Sequence, residues 1–247
     1  MKVLVLGNSD TEGLAPGQPT WTRIAAQALG DAIGQPVDVQ EVRFAVSTST
    51  AAEFGARKVR EAAPDLVIMP VGTFQFTVGF VWLRVRQLLG NRAGEWYRRL
   101  EVRLDSGTRG KGPIRDLLNR GGRKFARTVI GTRPICTSAE LADYYTDALR
   151  ALSQVEDIHV ALVQYPGRSR FTQAGKVKRE RDVFLAAVKA VAEDRRFLWI
   201  DSAQAFVEAV GDAHTSSRDG YHMNELGHRV LGQHVAARVA ASGVLPG

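Results

Sequence analysis

The sequence predicts a three-layer α/β/α sandwich built around a five-stranded parallel sheet, and three observations carry that expectation. Short apolar runs recur near 2 to 6, 37 to 43, 66 to 71, 158 to 164 and 197 to 200, each of a length suited to a buried strand. Helix-like periodicities occupy about 20 to 33, 50 to 62, 138 to 153 and 177 to 194 between them. Strands alternating with helices in this way form right-handed crossovers, which place the strands side by side and cover both faces.

The first run, Val3 to Leu6, stops at Gly7, and the segment GNSDTEG follows from Gly7 to Gly13. In open α/β sheets the ligand crevice lies beyond the carboxyl ends of the strands, so Gly7, Asn8, Ser9 and Asp10 fall where chemistry is usually placed. The competing reading is a plain strand-to-loop turn in which Ser9 or Asp10 satisfies main-chain donors. The second strand runs into FAVSTST at Phe44 to Thr50, and the third, entered at Pro64, ends at Val71 with Gly72 directly after. Thr137 with Glu140 forms a capping box for the helix that leads to the fourth strand. From Asn224 to Ala241, Leu226, Val230, Leu231, Val235 and Val239 recur at helical spacings and predict a final amphipathic helix.

A serine hydroxyl is a poor nucleophile until an imidazole takes its proton, and that imidazole needs an acceptor on its other nitrogen. The segment DGYH, Asp219 to His222, offers both groups just before the last helix. A spacing of three lets the Asp219 carboxylate fold back onto the ring nitrogen that faces away from Ser9. Read alone, a loop histidine is commonly a hydrogen-bonded or exposed residue, so the case rests on the pairing of the two segments.

That pairing resembles the SGNH hydrolase superfamily, the GDSL-type esterases and lipases. In that family a serine follows the first strand, and an Asp-x-x-His lies near the C-terminus. Gly7, Asn8 and Ser9 match the first block. Asp219, Gly220, Tyr221 and His222 match the last, with Asn224 and the Gly227-His228 pair after it. The resemblance implies a flavodoxin-like sheet, Ser9 as nucleophile, His222 as base and Asp219 as its orienting group. It also implies an oxyanion hole completed by a main-chain glycine and an asparagine side chain, and here the chain departs from the pattern. Gly72 matches the third block's glycine, but the asparagine position falls on Phe74, which cannot donate. Gln75 beside it supplies an equivalent amide only if the loop shifts by one residue. FAVSTST contains no glycine, so Thr48 or Ala45 would present its N–H instead. The expected oxyanion donors are thus Ser9, Thr48 and Gln75, and Asn8, Asp10, Phe74 and Tyr221 are expected to line the pocket. Loss of one such donor typically costs about 100- to 1000-fold in turnover.

The connection between strands three and four is far longer than a crossover needs. One domain over 1–247 is expected to carry a helical insertion at about 74–135, serving as a lid or cap. From Phe76 to Arg133 there are 14 Lys and Arg against 4 Asp and Glu. Of a total of +7, this segment carries +10 and the rest of the chain −3. FTVGFVWLRVRQLL, WYRR and RGGRKFAR interleave aromatic, aliphatic and basic residues, a composition suited to an acyl-pocket lid or to an anionic lipid surface. A helical cap with a solvated basic face accounts for the charge equally well. A nucleic-acid groove ranks third, because no recognised motif accompanies the charge. GTRGKG at Gly107 to Gly112 lacks the spacing of a phosphate loop and follows no strand.

Other classes are excluded by what the chain lacks. The sole cysteine, Cys136, rules out an intramolecular disulfide, and no histidines pair at metal-ligand spacing. No G-x-S-x-G elbow occurs, which argues against the α/β-hydrolase fold. The chain enters its first strand at once, without the n-region and h-region of a signal peptide, and no stretch reaches the roughly 20 apolar residues of a membrane span. A cytoplasmic protein, at most peripheral to a membrane, is expected. The expected activity is hydrolysis of carboxylic esters, lipid-like acyl esters or O-acetyl groups, on a small-molecule substrate and without cofactor. Acyl transfer by the same triad, or a non-catalytic protein binding membrane or nucleic acid through its basic insertion, are the alternatives.

Overall fold

A computed structural model describes residues 1–7, 11, 19–108, 126–166, 175–211 and 222–243. Five parallel strands form its sheet: β1 (Lys2–Gly7), β2 (Asp38–Arg43), β3 (Leu66–Val71), β4 (His159–Gln164) and β5 (Leu198–Asp201), in the order β2-β1-β3-β4-β5. The helices of the same unit are α1 (Trp21–Ile33), α2 (Ala51–Ala62), α6 (Ser138–Leu152), α7 (Gly175–Asp194), α8 (Ala203–Val210) and α9 (Glu225–Ala240). Between β3 and α6 come α3 (Phe74–Thr77), α4 (Val81–Leu89) and α5 (Asn91–Thr108). The chain divides into two compact units, Met1–Thr73 with Ser138–Gly247, and Phe74–Thr137.

The strands form where the sequence lets both faces of a ribbon be covered. All six residues of β3 are buried, and so are Val3 to Gly7 of β1, because helices lie on either side. Fully burying each large aliphatic side chain contributes about 1.5–3 kcal/mol. On one face Val3, Val5, Leu66, Ile68, Ala161, Val163 and Ile200 pack against Trp21, Ala25 and Leu29 of α1 and Leu231, Val235 and Val239 of α9. On the other side of the sheet α2, α6 and α7 pack in a row. Helix α1 stops at Gly34, whose φ of 67° is left-handed and whose N–H returns to the Gly30 carbonyl.

Strand boundaries agree with the sequence expectation to within a residue or two, and the sheet is parallel throughout. Helix α9 departs from it in which side it buries. Leu226 is 38% exposed, while Gly227, His228, Gly232 and Ala236 join Leu231, Val235 and Val239 on the inner face. A Cβ on Gly232 would stand 2.7 Å from the Trp21 carbonyl oxygen and from Ile24 Cβ, so α9 approaches α1 more closely than a large side chain permits.

The unit Phe74–Thr137 is described by itself. Phe80 and Arg133 exchange main-chain hydrogen bonds of 2.8 and 3.1 Å and close its two ends. Helices α4 and α5 pack against each other, with Arg86 against Gly94, and leave Leu89 73% and Trp96 65% exposed.

Candidate active site

The strand order reverses between β1 and β3: the chain moves from β1 outward to β2, then crosses back to β3 on β1's other side. A crevice opens at such a switch point, beyond the carboxyl ends of the two strands. Register shows where it starts. β1 pairs with β3 only through Val5↔Ile68, whereas β1 keeps β2 as far as Gly7↔Arg43, and β3 keeps β4 as far as Val71↔Gln164. The central pair therefore separates before either strand reaches its carboxyl end.

Local chemistry holds this opening. Pro70 has no N–H to donate to a ladder. The Tyr145 hydroxyl of α6 donates to the Pro70 carbonyl at 3.1 Å and accepts the Gly72 N–H at 3.1 Å. It satisfies the two main-chain groups that flank Val71, as a neighbouring strand would. Tyr145 is itself locked by an edge-on ring contact with Phe184 of α7, with centroids 5.6 Å apart.

At the end of β1, Thr11 is buried against Gly7, and a Cβ on Gly7 would stand 2.7 Å from Thr11 Cβ. The described residues on either side of the Ser9 segment are thus in contact. Beside them the chain leaves β2 with the Phe44 N–H donating to the Gly7 carbonyl at 2.7 Å. Phe44 and Val46 are buried, and Phe44 stacks on Phe54 of α2 with ring centroids 6.2 Å apart. Ala45 and Thr48 face outward. Thr48 is fixed by the Ala51 N–H on its carbonyl (3.1 Å) and by the Thr50 hydroxyl (3.0 Å), while its own N–H makes no hydrogen bond among the described residues. It stands at the start of α2, where the helix dipole favours negative charge.

His222 is half-buried and followed by Met223, which is sunk in the core at 1% exposure. Next comes Asn224, the N-cap of α9, whose side chain accepts the Gly227 N–H at 2.9 Å. The histidine therefore leads into an anchored helix rather than a free loop. One turn on, His228 Nδ1 accepts the Trp21 N–H at 3.2 Å, joining α9 to the first residue of α1.

Of the residues singled out from sequence, the structure describes His222, Thr48, Ala45, Phe74 and Gln75. Ser9, Asp219, Asn8, Asp10 and Tyr221 lie outside the described residues. Phe74 and Gln75 belong to the unit Phe74–Thr137, where Phe74 is 43% exposed and edge-on to Phe80, and the Gln75 carbonyl accepts the Ile135 N–H at 2.9 Å. Gly72 has its N–H committed to Tyr145, so it adds no donor to an oxyanion. Two supporting roles escape a reading of the sequence, that of Tyr145 and that of His228, which is matched there only as part of the pair after the last block. Their signal is a polar ring at an inward helical position: Tyr145 stands four residues from Leu141 and from Leu149, and His228 three from Leu231. A groove of about 600 Å³ runs along edge strand β5, lined by residues that include Trp199, Gln204, His234 and Arg238, but it contains no serine or cysteine and lies away from the switch point. Among the described residues, no three His, Cys, Asp or Glu gather to hold a metal ion, and no helix is long and apolar enough to cross a membrane.

No protein-family model matches the sequence, and no curated protein matches it either. Solved structures do match. An acetylxylan esterase from Geobacillus stearothermophilus superposes with a TM-score of 0.60 at 15% identity, over 96% of this chain and 93% of that one. A second acetylxylan esterase, AlAXEase, gives 0.56 at 14% identity, over 97% and 100%. A protein described as a GDSL-like lipase from Parabacteroides merdae gives 0.54 at 12% identity, over 99% and 96%. Catalytic mutants of the Geobacillus enzyme replace a serine, an aspartate and a histidine by alanine, and there the aspartate stands three positions before the histidine. The chain thus has the three-layer fold of these esterases and of the GDSL-like lipase.

Proposed function

We propose that the protein is a serine esterase in which Ser9 is the nucleophile, His222 its general base and Asp219 the carboxylate that orients the imidazole. What supports this reading is where the described neighbours of the two segments stand. β1 ends at the switch point with Ser9 two residues further along the sequence, and His222 leads into α9, the helix packed on α1. The Asp-x-x-His spacing of Asp219 and His222 equals that of the catalytic mutants in the Geobacillus esterase.

In this mechanism Ser9 Oγ attacks the ester carbonyl as His222 accepts its proton. The negative oxygen is held by the Ser9 N–H and the Thr48 N–H, with the α2 dipole adding to the second. Collapse releases the alcohol, which takes the proton from His222, and water repeats the cycle to free the acid and restore Ser9. Acyl transfer differs only in that another hydroxyl replaces water. O-acetyl groups on sugars are the favoured substrates, since two of the structural neighbours are acetylxylan esterases, with longer lipid-like esters as the alternative. The test is turnover on a panel of acetylated sugars and short and long acyl esters, with Ser9→Ala as control.

A second reading concerns the unit Phe74–Thr137, where exposed Leu88, Leu89, Trp96 and Val102 share two helices with Arg84, Arg86, Arg92, Arg98, Arg99 and Arg103. This composition suits an anionic membrane surface approached by a cytoplasmic protein. Sedimentation with anionic and with zwitterionic vesicles at two salt concentrations tests it, because charge-driven binding weakens as salt rises.

A further inference from the structure

Helix α7 turns an inward stripe toward the sheet, in which Phe184, Leu185, Val188 and Ala192 are buried. Arg181 stands on the same stripe, three residues before Phe184 and seven before Val188. An apolar residue is expected there, yet the position holds a guanidinium whose side chain is only 14% exposed. Its Nε and Nη1 are buried without a hydrogen-bond partner among the described residues. Among the described residues its one ion pair is at 3.6 Å, from Nη2 to Asp182, a carboxylate that also holds Lys178 at 2.5 Å. A buried charge with unmet donors is costly, and the cost is removed when an anion arrives.

The fold fixes where that anion would lie. α7 follows β4 and returns to β5, so in a parallel sheet its N-terminal end stands at the carboxyl edge. Phe184 is level with the ring of Tyr145, whose hydroxyl holds Pro70 and Gly72 at the end of β3. Arg181 is three residues nearer the N-terminus, about 4.5 Å further toward the edge, and helical side chains lean toward the N-terminus. The guanidinium is therefore directed toward the carboxyl edge of the sheet.

We infer that Arg181 is an anion-binding residue of the substrate site, taking a carboxylate or phosphate group that the ester carries away from its scissile bond. The inference rests on the esterase reading for the bond that is cleaved, but not for the binding of the anion. Arg suits this task because its planar donors match two oxygens of either group.

The experiment compares wild type with Arg181→Met and Arg181→Lys on 4-nitrophenyl acetate and on the mono-4-nitrophenyl ester of succinate. The expected result is a fall of about 10- to 100-fold in the ratio of kcat/KM for the anionic ester to that for the neutral ester in the Met variant, and a smaller fall with Lys. An unchanged preference overturns the inference. If wild type cleaves neither ester, the esterase reading fails, and thermal midpoints in sodium succinate, inorganic phosphate and ionic-strength-matched sodium chloride decide Arg181 on their own. A midpoint raised by succinate or phosphate in wild type but not in Arg181→Met supports it, and the more effective ion identifies the group. Arg181→Met is expected to melt higher than wild type in sodium chloride, because it removes a buried unpaired charge. A lower midpoint there, with no ion-specific gain in wild type, means that Arg181 is structural and overturns the proposal.

Discussion

The main-chain N–H of Trp21 donates to Nδ1 of His228 at 3.2 Å, fastening the first residue of the helix after the serine segment to the helix after the histidine segment. Both residues are essentially inaccessible, so this hydrogen bond joins the two ends of the sequence inside the core. His228→Ala leaves a cavity and an unmet N–H, and is expected to destabilise the protein by about 3 kcal/mol in urea unfolding. His228→Asn, which restores an acceptor near Nδ1, is expected to recover about 1 kcal/mol of that loss.

Gly232 tests the same contact from the other helix. Alanine at an exposed helical position gains up to about 1 kcal/mol over glycine. Here its Cβ would meet the Trp21 carbonyl and Ile24 at 2.7 Å, and main chain cannot turn aside as a side chain can. Gly232→Ala is therefore expected to lower stability, by about 2 kcal/mol net. A stabilised variant in thermal unfolding would mean that α1 and α9 stand further apart.

Tyr145→Phe keeps the ring on Phe184 and removes only the hydroxyl, leaving the Gly72 N–H and the Pro70 carbonyl without their partner. A cost of about 1–3 kcal/mol is expected. Because these groups frame the opening beside β1, esterase turnover is expected to fall by more than the loss of folded protein explains. Activity measured well below the melting temperature separates the two effects.

Gly7→Ala puts a methyl group where Thr11 packs, 2.7 Å from its Cβ. The substitution is expected to cost about 1–3 kcal/mol and to displace the segment that carries Ser9. The double change Gly7→Ala with Thr11→Gly opens space and is expected to restore some of the turnover. Equal loss in single and double variants would show that the contact is not what places the serine.

How legible these features are follows from what each contributes to the pattern of hydrophobicity. β1 and β3 are covered on both faces, so Val3 to Leu6 and Leu66 to Val71 print as unbroken apolar runs whose ends can be placed closely. Helix α9 is legible as a helix, but its inner face is not. Close approach to α1 selects Gly227, Gly232 and Ala236, which carry little hydrophobic signal, and turns Leu226 outward. Tyr145 looks like one more aromatic in a helix, because its function comes from Pro70 and Gly72, more than 70 residues away. Ser9 and Asp219 lie outside the described residues and are proposed from spacing and order, a chemical pattern rather than a packing one.

The central claim is that Ser9 is a nucleophile activated by His222, and covalent labelling tests it most directly. The protein is treated with a fluorophosphonate probe, and the modified residue is located by peptide mass spectrometry, beside Ser9→Ala, Asp219→Ala and His222→Ala. The account predicts a single label on Ser9, none in Ser9→Ala, and labelling and ester turnover reduced by about 10³-fold or more in His222→Ala. Label on another residue, or ester turnover that survives Ser9→Ala unchanged, would contradict it.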